Sequence, residues 1–252
     1  MSLPLLSVAE SSVTLVWRER PARPGAVLLA MHGGEEHDER PPSWLNPPIQ
    51  RLRPFERAVR RAPFGETIAV AEVRYRHRGW NGTRAEAAVD AERALELAVR
   101  DVGAATPVIL LGHSMGGRAA LRVGGHPSVA GIVALAPWCP HGEPVEQLAD
   151  RRIVIIHSDV DRTTPPDESL DLARRARAAG ASVARCVIPG SDHAMLRRAN
   201  AWHRLTALTV GGLLGHWPLP DPVAKALART GDDGEGLDLA LPLWSPNPGS
   251  TR

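Results

Sequence analysis

The sequence predicts an α/β fold built on a mostly parallel central sheet flanked by helices, and two observations carry that expectation. Residues 26–31, 108–111, 129–136 and 153–156 form runs that stay apolar, or nearly so, without alternating. Strands covered on both faces read this way. Between those runs lie segments with helical spacing, so strand and helix follow one another along the chain. At 252 residues, 43% of them apolar, the chain can bury one sizeable core and is short for two.

Taken in order, residues 12–18 alternate and are rich in β-branched side chains, as in an antiparallel strand near a sheet edge. A turn at 21–25 leads to the strand 26–31, which ends in His32-Gly33-Gly34. Residues 35–48 are polar and proline-rich, a loop carrying Trp44. Leu52, Phe55 and Val59 have the spacing of a helix over 50–61, with Pro63-Phe64-Gly65 beyond it. A strand at 67–75 and a polar loop at 76–82, which holds Trp80, precede an amphipathic helix over 83–102. The strand 108–113 then meets Ser114, and a helix follows, closed by Gly124-Gly125. Strands at 129–136 and 152–157, a helix at 165–179, a strand at 183–188 and a helix at 199–214 complete the alternation. Only about a dozen residues separate the strands at 129–136 and 152–157, too few for a lid domain. The boundary therefore falls near 215: a domain over 1–215, then a Pro/Gly-rich extension over 216–252 that is partly docked or disordered. Its one helix is expected at 222–228, capped by Asp221, with Leu237, Leu239, Leu241 and Trp244 as docking side chains.

Chemistry enters at Gly112-His113-Ser114-Met115-Gly116. A serine held on a tight strand-to-helix turn needs flanking glycines for room, and it projects its hydroxyl from the carboxyl end of the sheet. The Met115 N–H, at the helix start, can face a developing oxyanion. A serine nucleophile needs a base, and the base needs a carboxylate to fix its tautomer. The motif resembles the nucleophile elbow of the α/β-hydrolase superfamily, and the resemblance extends in element order over about residues 12 to 215. With Ala136-Pro137-Trp138 and the loops around 161 and 193, it narrows to the dienelactone-hydrolase-like and the lidless cutinase- or polyester-hydrolase-like branches.

That resemblance implies site residues. The acid loop is similar to H-G-x-x-D-x-x-V-P, starting at His157, with Ser158 in place of the glycine and Thr164 in place of the valine; it picks Asp161 over Asp159. The base is His193, in the loop after the strand 183–188, with Asp192 read as a loop residue. Gly34, or its neighbour Glu35, and Met115 would supply the oxyanion N–H groups, and Trp138 would line the acyl subsite, with a core aromatic as its plain alternative. Read from their own loops, Trp80 is a further substrate contact, and Trp44 either covers apolar substrate or docks its loop. His113 is expected to be a packing residue beneath the turn. The implied activity is a serine hydrolase that cleaves carboxylic esters or thioesters through an acyl-enzyme. Acyl transfer, cyclisation or another non-hydrolytic reaction remains an alternative, as does a silent fold kept for binding.

Composition limits the remaining classes. Lys+Arg 30 against Asp+Glu 28 leaves +2, with no basic block interleaved with aromatics, so nucleic acid is not an expected partner. His32, His37 and His77 lack metal-ligand spacing, and no metal or cofactor is expected. Cys139 and Cys186 are read as free thiols in a cytoplasmic protein without a leader or membrane span. The expected partner is a small acyl ester or thioester, and oligomeric state is left open.

Overall fold

The computed structural model describes residues 14–43, 47–231 and 234–240. Its strands are β1 (Leu15–Glu19), β2 (Ala26–Met31), β3 (Ile68–Val73), β4 (Val108–His113), β5 (Val129–Leu135), β6 (Arg152–Ser158), β7 (Ser182–Ile188) and β8 (Leu239–Ala240). The helices are α1 (Pro47–Arg60), α2 (Glu86–Val102), α3 (Met115–Val123), α4 (Pro166–Ala178), α5 (Ala199–Leu213) and α6 (Asp221–Leu227). The strands form one sheet in the order β1-β3-β2-β4-β5-β6-β7-β8. β1 runs antiparallel to β3, and every other pairing is parallel.

Successive residues of a strand point to opposite faces, and here each face meets its own helices. Val27, Leu29 and Met31 join a core with residues of α2, α3 and α4. Ala26, Leu28 and Ala30 join a second core with residues of α1, α5 and α6. This two-sided cover is why the strand sequences are apolar throughout. The chain runs from β3 across β2 to β4, so strand order reverses between β2 and β4. Open α/β sheets bind ligands at the carboxyl ends of the strands beside such a reversal, and Ser114 lies there.

Three local features depart from the sequence reading. The helix expected from residue 83 starts at Glu86, because Asn81 (φ 61°) and Ala85 (φ 45°) adopt left-handed backbone on either side of a single 3-10 turn, Gly82–Arg84. Asp221 opens α6 rather than capping it: Pro220 occupies the cap position, and its carbonyl accepts the Val223 N–H at 2.8 Å. Residues 239–240 form a short edge strand on β7 that no periodicity announced. Leu237 is buried, while Leu241 and Trp244, expected to dock, lie outside the described residues, as do residues 12 and 13. Cys139 and Cys186 are free and buried. No helix among the described residues is long and apolar enough to cross a membrane.

A pair of carboxyls lies between α1 and the sheet. Glu72 on β3 pairs with Arg53 at 2.9 Å and with Arg18. Burial, reinforced by the Glu72 charge, pushes the Glu56 carboxyl up to about 8. A carboxyl that keeps its proton when folded favours the native state fully below its unfolded value of about 4.5. That contribution is lost as pH rises through about 8. Glu56→Gln should therefore become progressively more stable than wild type across this interval. Denaturant unfolding of both proteins at several pH values measures the difference, and a difference independent of pH would contradict the assignment.

Candidate active site

The turn between β4 and α3 brings three segments of backbone together. Ser114 has φ 55° and ψ −120°, outside the usual basins, a conformation that costs about 1–3 kcal/mol. Its N–H donates to the Leu135 carbonyl at 3.0 Å, and its own carbonyl accepts the Arg118 and Trp138 N–H groups at 3.1 Å each. A Cβ on Gly112 would strike the Gly116 carbonyl, and one on Gly116 would strike the Met31 carbonyl. The two glycines are therefore required by close backbone approach, not by flexibility.

The loops after β6 and β7 deliver the other two groups. Ser114 Oγ lies 3.0 Å from His193 Nε2, and His193 Nδ1 lies 2.8 Å from Asp161 Oδ2. The structure thus brings Ser114, His193 and Asp161 into one line of hydrogen bonds. Thr163 and Thr164 donate their N–H groups to Asp161 Oδ1 at 2.8 and 3.1 Å. Burial alone would raise the Asp161 carboxyl. Hydrogen bonds from His157 and His193, with the charge of His193, outweigh it and hold the group well below the usual carboxylate range. Asp159 is not at the centre; it accepts the Gly190 N–H at 2.7 Å and so joins the acid loop to the base loop. Asp192 accepts the Leu196 and Arg197 N–H groups, which makes it a loop brace.

Met115 starts α3, where the first N–H groups of a helix have no acceptor within it. Gly34 passes directly over this turn: a Cβ there would lie 2.8 Å from Met115 Sδ and would strike the Arg78 carbonyl. The neighbouring Glu35 N–H is committed to that Arg78 carbonyl at 2.9 Å. Of the two, Gly34 therefore remains the candidate donor. Gly33, which the sequence reading passed over, comes closer to the nucleophile, its Cβ position lying 3.3 Å from Ser114 Cβ.

The tryptophans separate. Trp44 lies outside the described residues. Trp80 is 2% exposed and its ring faces the Arg118 guanidinium at 3.9 Å. Trp138 meets Trp80 edge to face, with ring centroids 6.2 Å apart, and lies 4.4 Å from the same guanidinium; it stays half-buried, next to the backbone of the nucleophile. Glu143 neutralises that cation at 2.7 Å.

Several supports were not foreseen. His113 is more than packing: its Nε2 lies 3.0 Å from the His193 carbonyl, and the two rings are 4.9 Å apart. Burial, with the His193 charge adding to it, pushes the His113 imidazole down to about 3, so it is neutral and donates its Nε2–H to that carbonyl. Arg51 reaches from α1 to the Ala194 and Met195 carbonyls. Thr164 Oγ1 lies 3.1 Å from Asp161 Oδ2, 3.2 Å from His193 Nδ1 and 3.2 Å from the Ala136 carbonyl. Its place in the acid motif was legible as a departure from the family pattern, but the reach of the hydroxyl was not.

No protein-family model matches the sequence, and no curated protein matches it either. Solved structures do. A protein of unknown function from Agrobacterium tumefaciens, described as an α/β hydrolase, superposes with a TM-score of 0.62 at 15% identity, covering 81% of this chain and 92% of its own. Est1E from Butyrivibrio proteoclasticus, bound to ferulic acid, gives 0.60 at 12% identity over 80% and 95%. A monoacylglycerol lipase from Paleococcus ferrophilus gives 0.56 at 14% identity over 81% and 100%. The chain has the α/β-hydrolase fold.

Nitrogen-detected NMR tests the His113 assignment. Its imidazole should stay neutral, as one tautomer, from about pH 5 to 8. A titration with a midpoint near the ordinary histidine value would remove it as the clamp on the base loop.

Proposed function

We propose that the protein is a serine hydrolase acting on carboxylic esters or thioesters of small molecules. The observation that carries this reading is the unbroken Ser114–His193–Asp161 hydrogen-bond line, anchored on a serine held in a strained backbone. Strain kept at a polar side chain and surrounded by obligatory glycines has a use in nucleophilic attack, whereas a binding scaffold has none for it.

The steps follow from the geometry. His193 Nε2 takes the Ser114 proton as Oγ attacks the acyl carbon, and Asp161 stabilises the imidazolium through Nδ1–H. The tetrahedral oxygen is held by the N–H groups of Met115 and Gly34, each worth on the order of 10²-fold in turnover. The imidazolium then gives its proton to the leaving alcohol or thiol. A water deprotonated by His193 releases the acid and restores Ser114. Trp138, half-buried beside the nucleophile, is the side chain we assign to contact with the acyl group. The neighbouring folds include a protein named as a monoacylglycerol lipase, which is in keeping with ester chemistry.

Ser114→Ala should abolish both ester turnover and labelling by a fluorophosphonate, a loss of about 10⁴-fold or more in kcat. Turnover that survives the substitution would end the proposal. If wild type labels but transfers its acyl group to added alcohol or amine in preference to water, the protein is an acyltransferase instead.

The two loop carboxylates give a second test. Asp161→Asn should reduce kcat by about 10³- to 10⁴-fold with a smaller effect on KM, and Asp159→Asn should cost less than about tenfold because that group only ties two loops together. The reverse ranking would move the acid to Asp159.

A further inference from the structure

A second imidazole lies against the acid loop. His157, at 0% exposure, places Nε2 3.4 Å from Asp161 Oδ2 and 3.1 Å from the Thr164 carbonyl, and Nδ1 2.8 Å from Ser169 Oγ. Ser169 is held in turn by Arg185, whose Nε lies 3.1 Å from Ser169 Oγ and whose Nη2 lies 2.9 Å from the Pro166 carbonyl. Arg185 Nη1 reaches the Leu237 carbonyl at 3.0 Å and the Asp238 carboxylate. We propose that His157 is a positioning residue for Asp161, and that Ser169 and Arg185 form a one-directional relay that fixes its tautomer and ties the reactive centre to the segment around residues 237–238.

Proton counting gives the direction. Thr164 O and Asp161 Oδ2 can only accept, so His157 Nε2 must carry a hydrogen. Burial lowers the His157 pKa against the opposing pull of Asp161, which leaves the ring neutral and Nδ1 as an acceptor. The Ser169 hydroxyl must then donate to Nδ1. It can do so because the Pro166 carbonyl, its other acceptor at 2.9 Å, is already served by Arg185. Along this line the donors run one way: Arg185 to Ser169, Ser169 to His157, and His157 to the Thr164 carbonyl, with Asp161 Oδ2 3.4 Å from the same Nε2. The opposite tautomer would aim a lone pair at a carboxylate. With His193 and Thr164 also directed at Oδ2, the acid is held from several sides and keeps one orientation toward the base.

This inference rests on the hydrolase reading for its kinetic arm only. Nitrogen-detected NMR of the wild-type protein should find His157 as the Nε2–H tautomer across neutral pH; the Nδ1–H tautomer would overturn the relay whether or not the protein hydrolyses esters. Ser169→Ala, a small change inside α4, should release that preference, shift the His193 Nδ1–H resonance, and lower kcat about fivefold at constant KM. His157→Leu should lower kcat about tenfold at constant KM, whereas His157→Gln, whose amide can accept from Ser169 and donate to the Thr164 carbonyl, should stay within about threefold of wild type. Near-UV circular dichroism checks that each variant is folded. Folded His157→Leu protein with unchanged kcat would refute the positioning role. Wild-type protein with no turnover and no fluorophosphonate labelling would refute the hydrolase reading and leave the NMR result to decide the relay.

Discussion

The crossing of β2, β4 and α3 at Ser114 is the constraint on which the rest of the site depends. Backbone from three elements approaches so closely that Gly112 and Gly116 leave no room for a Cβ, and the serine between them takes a conformation an ordinary turn would relax. That strain survives because both ends are fixed by extended structure: Gly112 lies in a strand paired on both sides, and Met115 begins a helix packed against the sheet. The hydroxyl direction is thereby set by the core and not by a surface loop. Every other group at the site only has to reach a point that the sheet has already defined.

Parallel strands make that reach possible. The loops after β2, β4, β5, β6 and β7 all leave the sheet at its carboxyl edge, so residues far apart in the chain arrive on one rim. Their accuracy comes from bracing between loops. Asp159 joins the acid loop to the base loop, His113 and Arg51 hold the base loop from two sides, and the Thr164 hydroxyl bridges acid, base and the Ala136 carbonyl. Polar groups buried in this way are useful only when most of their bonds are made.

Much of this was legible in the residues. The doubled cover of the sheet is written as uninterrupted apolar runs, and Ser114, Asp161 and His193 were reached through the resemblance of their loops to the hydrolase pattern. What escaped the reading was polar and non-local. A histidine ending an apolar strand, such as His113 or His157, has no periodic signature that separates a core filler from a clamp. Arg185 lies in the middle of a strand, where its charge looks like a solvent-facing position; its partners are 16 and 52 residues away in sequence. Strand β8 is two residues long and, among the described residues, pairs with β7 alone. The packing of Trp80 was not legible either: an aromatic in a polar loop is equally consistent with a ligand wall and with cover for a buried cation, and the sequence does not place Arg118 beside it.

The link from Arg185 to residues 237 and 238 has a temporal side. A chain leaving the ribosome exposes the nucleophile turn, the acid loop and the base loop well before this segment emerges. Until then the guanidinium has Ser169 and the Pro166 carbonyl as acceptors but lacks the two in this segment. Closure of the edge strand onto β7 therefore follows the synthesis of residues 237–240, later than that of all three loops that carry the site.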